Sequence, residues 1–230
     1  MAAGLCVAAG RQAITRGTGM RSLLLVLAIA TGPAFADEVY TGVGTTGVTL
    51  GVGRSVMSGG SARLEVNGLD YSRSYSSDGI NYDARLRHTS AAGFYDWFPT
   101  RNDFRLTAGV FAGDTRLNGS SNGAAGTTYT LNGQTYSAAG ESLSLRVKWP
   151  TVLPYLGVGW GHGQASRGLG FFADAGVAYG RPSVSLSASP GLTAQATQAN
   201  IDAERQRIED DVNKYRYLPV LRVGLSYSFQ

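Results

Sequence analysis

From residue 37 onward the chain repeats one pattern: apolar residues at every second position, in runs broken by glycine, serine, asparagine and proline. A period of two is the spacing of side chains that share one face of a β-strand. Val48, Leu50 and Val52 alternate with Thr49, Gly51 and Gly53. Ala62, Leu64 and Val66 alternate with Arg63, Glu65 and Asn67. The same rhythm runs through Ile80 to Arg87, Phe104 to Phe111, Tyr155 to Trp160 and Phe171 to Ala178. The last run sets Val223, Leu225, Tyr227 and Phe229 against Arg222, Gly224, Ser226 and Ser228. The pattern predicts an all-β chain. No stretch after Asp37 is apolar enough for a membrane helix, which needs roughly 20 such residues.

Alternation alone also suits a soluble sandwich or a lipocalin. Two features favour an antiparallel transmembrane β-barrel. The polar positions hold arginine, aspartate and glycine, which suit a small lumen where glycine relieves crowding. The chain also ends Gly224-Leu225-Ser226-Tyr227-Ser228-Phe229, an alternating strand that closes on an aromatic. That end resembles the signature read by the barrel-assembly machinery, with Tyr227 and Phe229 as its aromatics. Gln230 departs from it, since the aromatic is usually terminal. Composition agrees: 32 glycines, 12 tyrosines and only 16% charged residues fit strands, tight turns and interface girdles better than a soluble helical domain.

The first 36 residues read as a targeting segment. Met20-Arg21-Ser22 opens a signal peptide, Leu23 to Ala30 forms its apolar region, and Ala34-Phe35-Ala36 supplies a small-x-small cleavage pattern. The apolar run is too short to span a bilayer. Met20 offers an alternative translation start. The expected organisation is therefore a signal peptide over 1–36 and a barrel over 37–230, exported to the outer membrane. Cys6, the single cysteine, falls in the removed part, which leaves no thiol or disulfide. Removing Arg11, Arg16 and Arg21 from the 20 basic residues leaves 17 against 16 acidic ones. A near-neutral chain without a basic, aromatic-interleaved stripe does not point to nucleic acid.

Bacterial barrels have an even strand number with both ends in the periplasm. Eight strands are expected, at about 39–44, 47–56, 61–72, 80–97, 103–116, 143–160, 169–181 and 217–229. Met57-Ser58-Gly59-Gly60, the turn after Asp96-Trp97-Phe98-Pro99 and Gly161 to Gly168 fall on the periplasmic side. Gly44-Thr45-Thr46-Gly47 makes a tight external turn. Two long connections lie outside. Residues 117–142 hold a hairpin signal at Asn132-Gly133. Residues 182–216 hold one short extracellular helix, about 198–214, with a narrow apolar stripe of Ile201, Ile208 and Val212. Asp202 and Glu204 stand near its positive end. The stripe suits packing on the barrel rim better than a partner.

With the strands placed, the chain resembles the carbapenem-associated, ornithine-uptake outer-membrane proteins. The resemblance rests on Val43-Gly44-Thr45-Thr46-Gly47, Gly79-x-x-Tyr82-Asp83, Pro154-Tyr155-Leu156-Gly157-Val158-Gly159 and Phe172-Ala173-Asp174-Ala175-Gly176. Pro182-Ser183-Val184-Ser185-Leu186, the charged helix and Pro219-Val220-x-x-Val223-Gly224 follow in the same order. It implies an eight-stranded barrel and slow uptake of basic amino acids, and it carries over no set of binding residues.

The chemistry open to such a chain is narrow. Glu65, Asp83, Asp96 and Asp174 are expected to face inward beside Arg63, Arg85, Arg87, Arg105 and Arg222. Carboxylates there would attract a cationic solute. Alternatively, Arg–carboxylate pairs plug an interior that eight strands leave just wide enough for side chains. His88 and Ser90 share a strand face, in the His-x-Ser spacing of outer-membrane lipid A deacylases, but no acidic partner completes a triad. His162 is read as a solvated turn residue. No catalytic set, metal cluster or cofactor motif stands out; Gly157-x-Gly159-x-Gly161 precedes a turn and not a helix. Envelope structure or adhesion remains a third class. The expected partners are outer-membrane lipid and lipopolysaccharide, the barrel-assembly machinery and small solutes, with the protein a monomer.

Overall fold

The computed structural model describes residues 36–77, 79–100, 102–162 and 167–229. The expected signal peptide lies outside the described residues, except for Ala36. The strands are β1 (Glu38–Gly44), β2 (Gly47–Met57), β3 (Gly60–Ser77), β4 (Ile80–Trp97) and β5 (Phe104–Gly123). A hairpin follows, β6 (Thr128–Leu131) and β7 (Gln134–Ser137). Then come β8 (Ser142–Lys148), β9 (Val152–Trp160), β10 (Gly168–Tyr179), β11 (Ser183–Ala188), the helix α1 (Pro190–Val212) and β12 (Tyr217–Ser228).

Eight of these strands close a ring in the order β1, β2, β3, β4, β5, β9, β10, β12, with every pairing antiparallel. The ring shuts where β1 meets β12, with Val39 opposite Tyr227. Closure leaves no strand edge in the ring unpaired, which a wall in hydrocarbon requires. Val48, Leu64, Leu156, Leu221 and Leu225 stand exposed on the outer face, Leu64 and Leu156 at 66%. Tyr95, Trp97, Trp160 and Tyr227 ring the end at which β1 begins and β12 finishes. Tyr179 and Tyr217, opposed in register, mark the other. An apolar band between two aromatic girdles is the outer surface of a transmembrane β-barrel.

Three strands run on past the ring at the far end. The strands expected to stop at 72 and 116 continue to Ser77 and Gly123. β5 changes neighbour on the way: Phe104 to Ala112 pair with β9, and Arg116 to Asn122 pair with β8. The single strand expected at 143–160 is thus interrupted at Pro150, which has no N–H to give the ladder. Its register against β5 is the same on both sides, Arg116 opposite Lys148 and Ala112 opposite Val152. The strand expected at 169–181 ends at Tyr179, and after Pro182 the chain resumes as β11 beside β8. The extension is therefore a five-stranded sheet: β3, β4, β5, β8, β11.

The inner face of that extension has its own apolar core, built from Ile80, Tyr129, Leu131, Ala138, Leu192, Ala196 and Ile201. The β6–β7 hairpin and α1 cover it. The hairpin turns at Asn132 (φ 49°) and Gly133 (φ 73°), the left-handed pair that its sequence predicts. The helix is longer than expected, 23 residues from Pro190, with Thr197 (φ 65°, ψ 151°) breaking it in two. The expected stretch is its second part. The first part begins with Pro190 in the opening turn, and the Glu141 carboxylate accepts the Leu192 N–H at 2.9 Å and the Ser189 hydroxyl.

Candidate functional site: the charged interior of the barrel

Period-two alternation sends one face of every ring strand into the lumen. β3 contributes Arg63, Glu65 and Asn67; β4 contributes Ser90, Ala92, Phe94 and Asp96; β5 contributes Arg105 and Thr107. Glu38 and Tyr40 come from β1, Asp174 from β10 and Arg222 from β12. Cross-strand register makes one row of Arg105, Gly159, Asp174, Arg222 and Gly44. Gly159 is required there. A Cβ on it would stand 2.5 Å from the Asp174 Oδ1 and 2.8 Å from the Arg105 Cζ, so its missing side chain lets the two charges meet.

Asp174 is the hub. It pairs with Arg105, lies 3.1 Å from the Arg222 Nη2 and 3.5 Å from the Arg63 Nη1. Asp96 pairs with Arg63 through Nε, accepts its Nη2 at 3.0 Å and accepts the Thr107 hydroxyl at 2.6 Å. Glu65 pairs with Arg222 and accepts from the Tyr40 hydroxyl and the Asn67 amide, each at 3.0 Å. The side chains of Arg63, Arg105, Arg222, Glu65, Asp96 and Asp174 are at most 1% exposed. Buried charges of this kind persist only when they satisfy one another.

An aromatic layer lies on the ionic one. Phe94, Phe111 and Tyr155 meet edge to face at 5.2–5.6 Å between centroids. The Arg63 and Arg222 guanidiniums stand over the Phe94 ring at 5.3 and 5.2 Å, a cation–π contact that binds the two layers together. Beyond the aromatics, toward the extended sheet, a recess of about 110 Å³ is lined by Thr46, His88, Thr115, Trp149, Leu153 and Pro219.

No known protein-family model matches the chain, and neither does any curated protein sequence. Solved structures do. The fold is that of CarO. The crystal structure of Acinetobacter baumannii CarO aligns with a TM-score of 0.60 at 24% identity, over 84% of this chain and 98% of that one. The crystal structure of Acinetobacter baumannii CarO2 aligns with a TM-score of 0.61, also at 24% identity, over 83% of this chain and 97% of that one. The resemblance read from the strand order is thus met in the fold, over nearly the whole length of the CarO chains.

Of the charged residues expected in the lumen, Arg63, Glu65, Asp96, Arg105, Asp174 and Arg222 face it and touch. Asp83, Arg85 and Arg87 do not. The inward positions of β4 are even-numbered, so these three odd positions lie on the outer face of the extended sheet. There Asp83 takes the Ser74 hydroxyl, and Asp70 accepts Arg85 at 2.8 and 2.6 Å and Arg87 at 3.0 Å. Tyr227 and Phe229 sit with their rings 5.3 Å apart at the terminal end of the wall.

Sequence reasoning missed several lumen residues. His162 is buried, not solvated: its Nδ1 is 2.8 Å from Glu38 Oε2, and its ring packs on Tyr40 and Phe172. Glu38 and Tyr40 share a face with Gly42, and Glu38 stands one residue before the strand expected at 39–44. Asn67 and Thr49, joined at 2.6 Å, complete the polar shell. His88 and Ser90 do meet, at 2.9 Å, but they face the interior, and the other imidazole nitrogen is 2.8 Å from the Thr115 hydroxyl, not a carboxylate.

Proposed function

We propose that the protein is an outer-membrane barrel whose lumen is sealed in this conformation, and that its working surface is the half that stands above the membrane. The seal carries the reading: three guanidiniums and three carboxylates, all buried, interlock across the ring beneath a packed aromatic layer. The outer-membrane placement is supported by the apolar band, the girdles and the likeness to the CarO fold. The test is conductance. Purified protein in planar bilayers should give no steady single-channel current and should add nothing to solute entry in liposomes. A stable ohmic conductance in the unmodified protein would overturn the sealed reading.

One observation favours a second reading, a gated path for cations such as basic amino acids. With Glu38 counted, the buried interior holds, among the described residues, four carboxylates against Arg63, Arg105 and Arg222. An opened lumen would then prefer cations, and the preference would weaken at high salt as the charges are screened. Liposome uptake of ornithine, arginine, glutamate and a neutral sugar separates the two readings. Cation-selective entry that Asp174→Asn abolishes, with the barrel intact, would establish the path.

A further inference from the structure

Among the described residues, the extended sheet is covered on its inner face only. Its outer face presents three cross-strand rows. Asp70, Arg87, Arg116, Lys148 and Ser183 form the lowest; Ser72, Arg85, Asn118, Arg146 and Ser185 form the next; Ser74, Asp83, Ser120, Ser144 and Ser187 form the third. Arg87, Arg116 and Lys148 are directly opposed, an arrangement of like charges that destabilises a bare sheet. Asp70 is shared by Arg85 and Arg87, and Asp114 pairs with Arg116 at 3.1 Å. Among the described residues no carboxylate pairs with Arg146 or Lys148, and both are exposed. The second and third rows line a shallow concavity of about 460 Å³, walled by serine hydroxyls, Asn118, the two arginines and one carboxylate, Asp83, which is occupied by the Ser74 hydroxyl.

Position narrows the occupant. Lys148 is four residues above Val152, and Arg116 four above Ala112, on the same strand faces as the apolar wall. At the rise of a strand that is about 13 Å. The cations therefore stand just beyond the hydrocarbon, on the side away from Glu38 and Ser228, with the hydroxyl-lined concavity above them. We infer that this face docks the phosphorylated sugar headgroup of an outer-leaflet glycolipid, its phosphates against Arg116, Arg146 and Lys148 and its sugar hydroxyls against the serines. Charge and hydroxyl density both match such a headgroup, and they are stacked in the order that it would present them from the bilayer upward. The inference rests on the outer-membrane reading.

The experiment uses the full mature chain in detergent micelles, titrated with deep-rough lipopolysaccharide, the same glycolipid after dephosphorylation, phosphatidylglycerol, and inorganic phosphate. Binding is read by native mass spectrometry. Lipopolysaccharide should bind best, and removal of its phosphates should abolish the preference. Arg146→Gln with Lys148→Gln should weaken binding roughly tenfold, while Arg54→Gln, exposed on β2 toward the other end of the barrel, should leave it unchanged. Equal binding of the dephosphorylated glycolipid, equal binding of phosphatidylglycerol, or full competition by inorganic phosphate at equal concentration would each overturn the proposal. So would an unchanged affinity in the double variant. Heat-modifiable migration and insertion into liposomes are scored on the same samples: protein that inserts but shows no phosphate preference refutes this docking alone, and protein that never inserts refutes the membrane reading with it.

Discussion

Asp174→Asn is the substitution that bears most directly on the sealed lumen. The carboxylate touches all three buried guanidiniums, and the three do not depend on it equally. Arg63 keeps its two-point contact with Asp96, and Arg222 keeps Glu65. Arg105 keeps the neutral Gly161 carbonyl, 3.4 Å from its Nη1, and as counter-charge the Asp96 Oδ1, 3.5 Å from its Nε. The variant therefore leaves one fully buried guanidinium without a close counter-charge. Breaking a buried ion pair on one side costs about 3–5 kcal/mol. The asparagine oxygen still accepts one hydrogen bond, which places the expected loss near the lower end, about 3 kcal/mol. Urea unfolding in lipid vesicles, followed by tryptophan fluorescence and by heat-modifiable migration, measures it. Adding Arg105→Gln to the variant should cost less than Arg105→Gln does alone, with a coupling of roughly 0.5–3 kcal/mol. A loss below about 1 kcal/mol, or strict additivity, would mean that the cluster is not an interlocked unit and would remove the physical basis of the seal.

Three further outcomes follow from other parts of the molecule. Leu64→Lys puts a charge on the apolar wall and should destabilise the inserted barrel by about 2–4 kcal/mol, read in the same unfolding assay, while leaving the lumen contacts intact. Gly224→Ala should cost roughly 1–3 kcal/mol by overpacking, because a Cβ there would stand 2.2 Å from the Thr41 carbonyl and 2.5 Å from the Phe172 ring. Glu204, which takes the Arg207 guanidinium and the Asn132 N–H at 3.0 Å, ties α1 to the hairpin, and these donors hold its carboxyl below the usual range. A depressed carboxylate contributes stability above its unfolded value, so protease resistance of the β6–β7 hairpin should be constant at neutral pH and fall only below roughly pH 4, and Glu204→Gln should remove that step.

How far the sequence reaches depends on which solvent each segment meets. Within the ring the reading was direct: a strand with hydrocarbon on one side and a narrow lumen on the other must alternate, and Leu64, Val66 against Arg63, Glu65 states both sides at once. β4 shows where that logic turns over. In its lower half the outward positions are Ala91, Gly93, Tyr95 and Trp97; in its upper half the apolar residues Ile80, Tyr82, Ala84 and Leu86 fall on the inward positions. No register slip separates the halves. The solvents change places instead, because above the bilayer the outside is water and the inside is the core beneath α1. A reader who carries the membrane rule past residue 88 therefore places Asp83, Arg85 and Arg87 in the lumen. The Glu141 cap and the His162–Glu38 contact were not legible for another reason. Both join residues far apart in the chain, and nothing in local spacing announces such a pair.

That inversion also explains why the outer face of the extension carries so much charge. Each strand that leaves the membrane keeps its pleat, so the face that was apolar against lipid becomes the one turned to water. β5 passes from Leu106, Ala108, Val110 and Ala112 to Asp114, Arg116, Asn118 and Ser120 along one unbroken face. The β9 and β8 segments do the same, from Leu156, Pro154 and Val152 to Lys148, Arg146 and Ser144. Solubility alone would be met by any polar residues, and the third row meets it with four serines and Asp83. The lowest two rows instead concentrate cations, and Pro150 lets β8 and β9 part from the ladder between them without losing register on β5. Charge is thus highest at the level where hydrocarbon gives way to headgroups, and it declines with distance from the bilayer, the gradient expected if the docking inferred above holds.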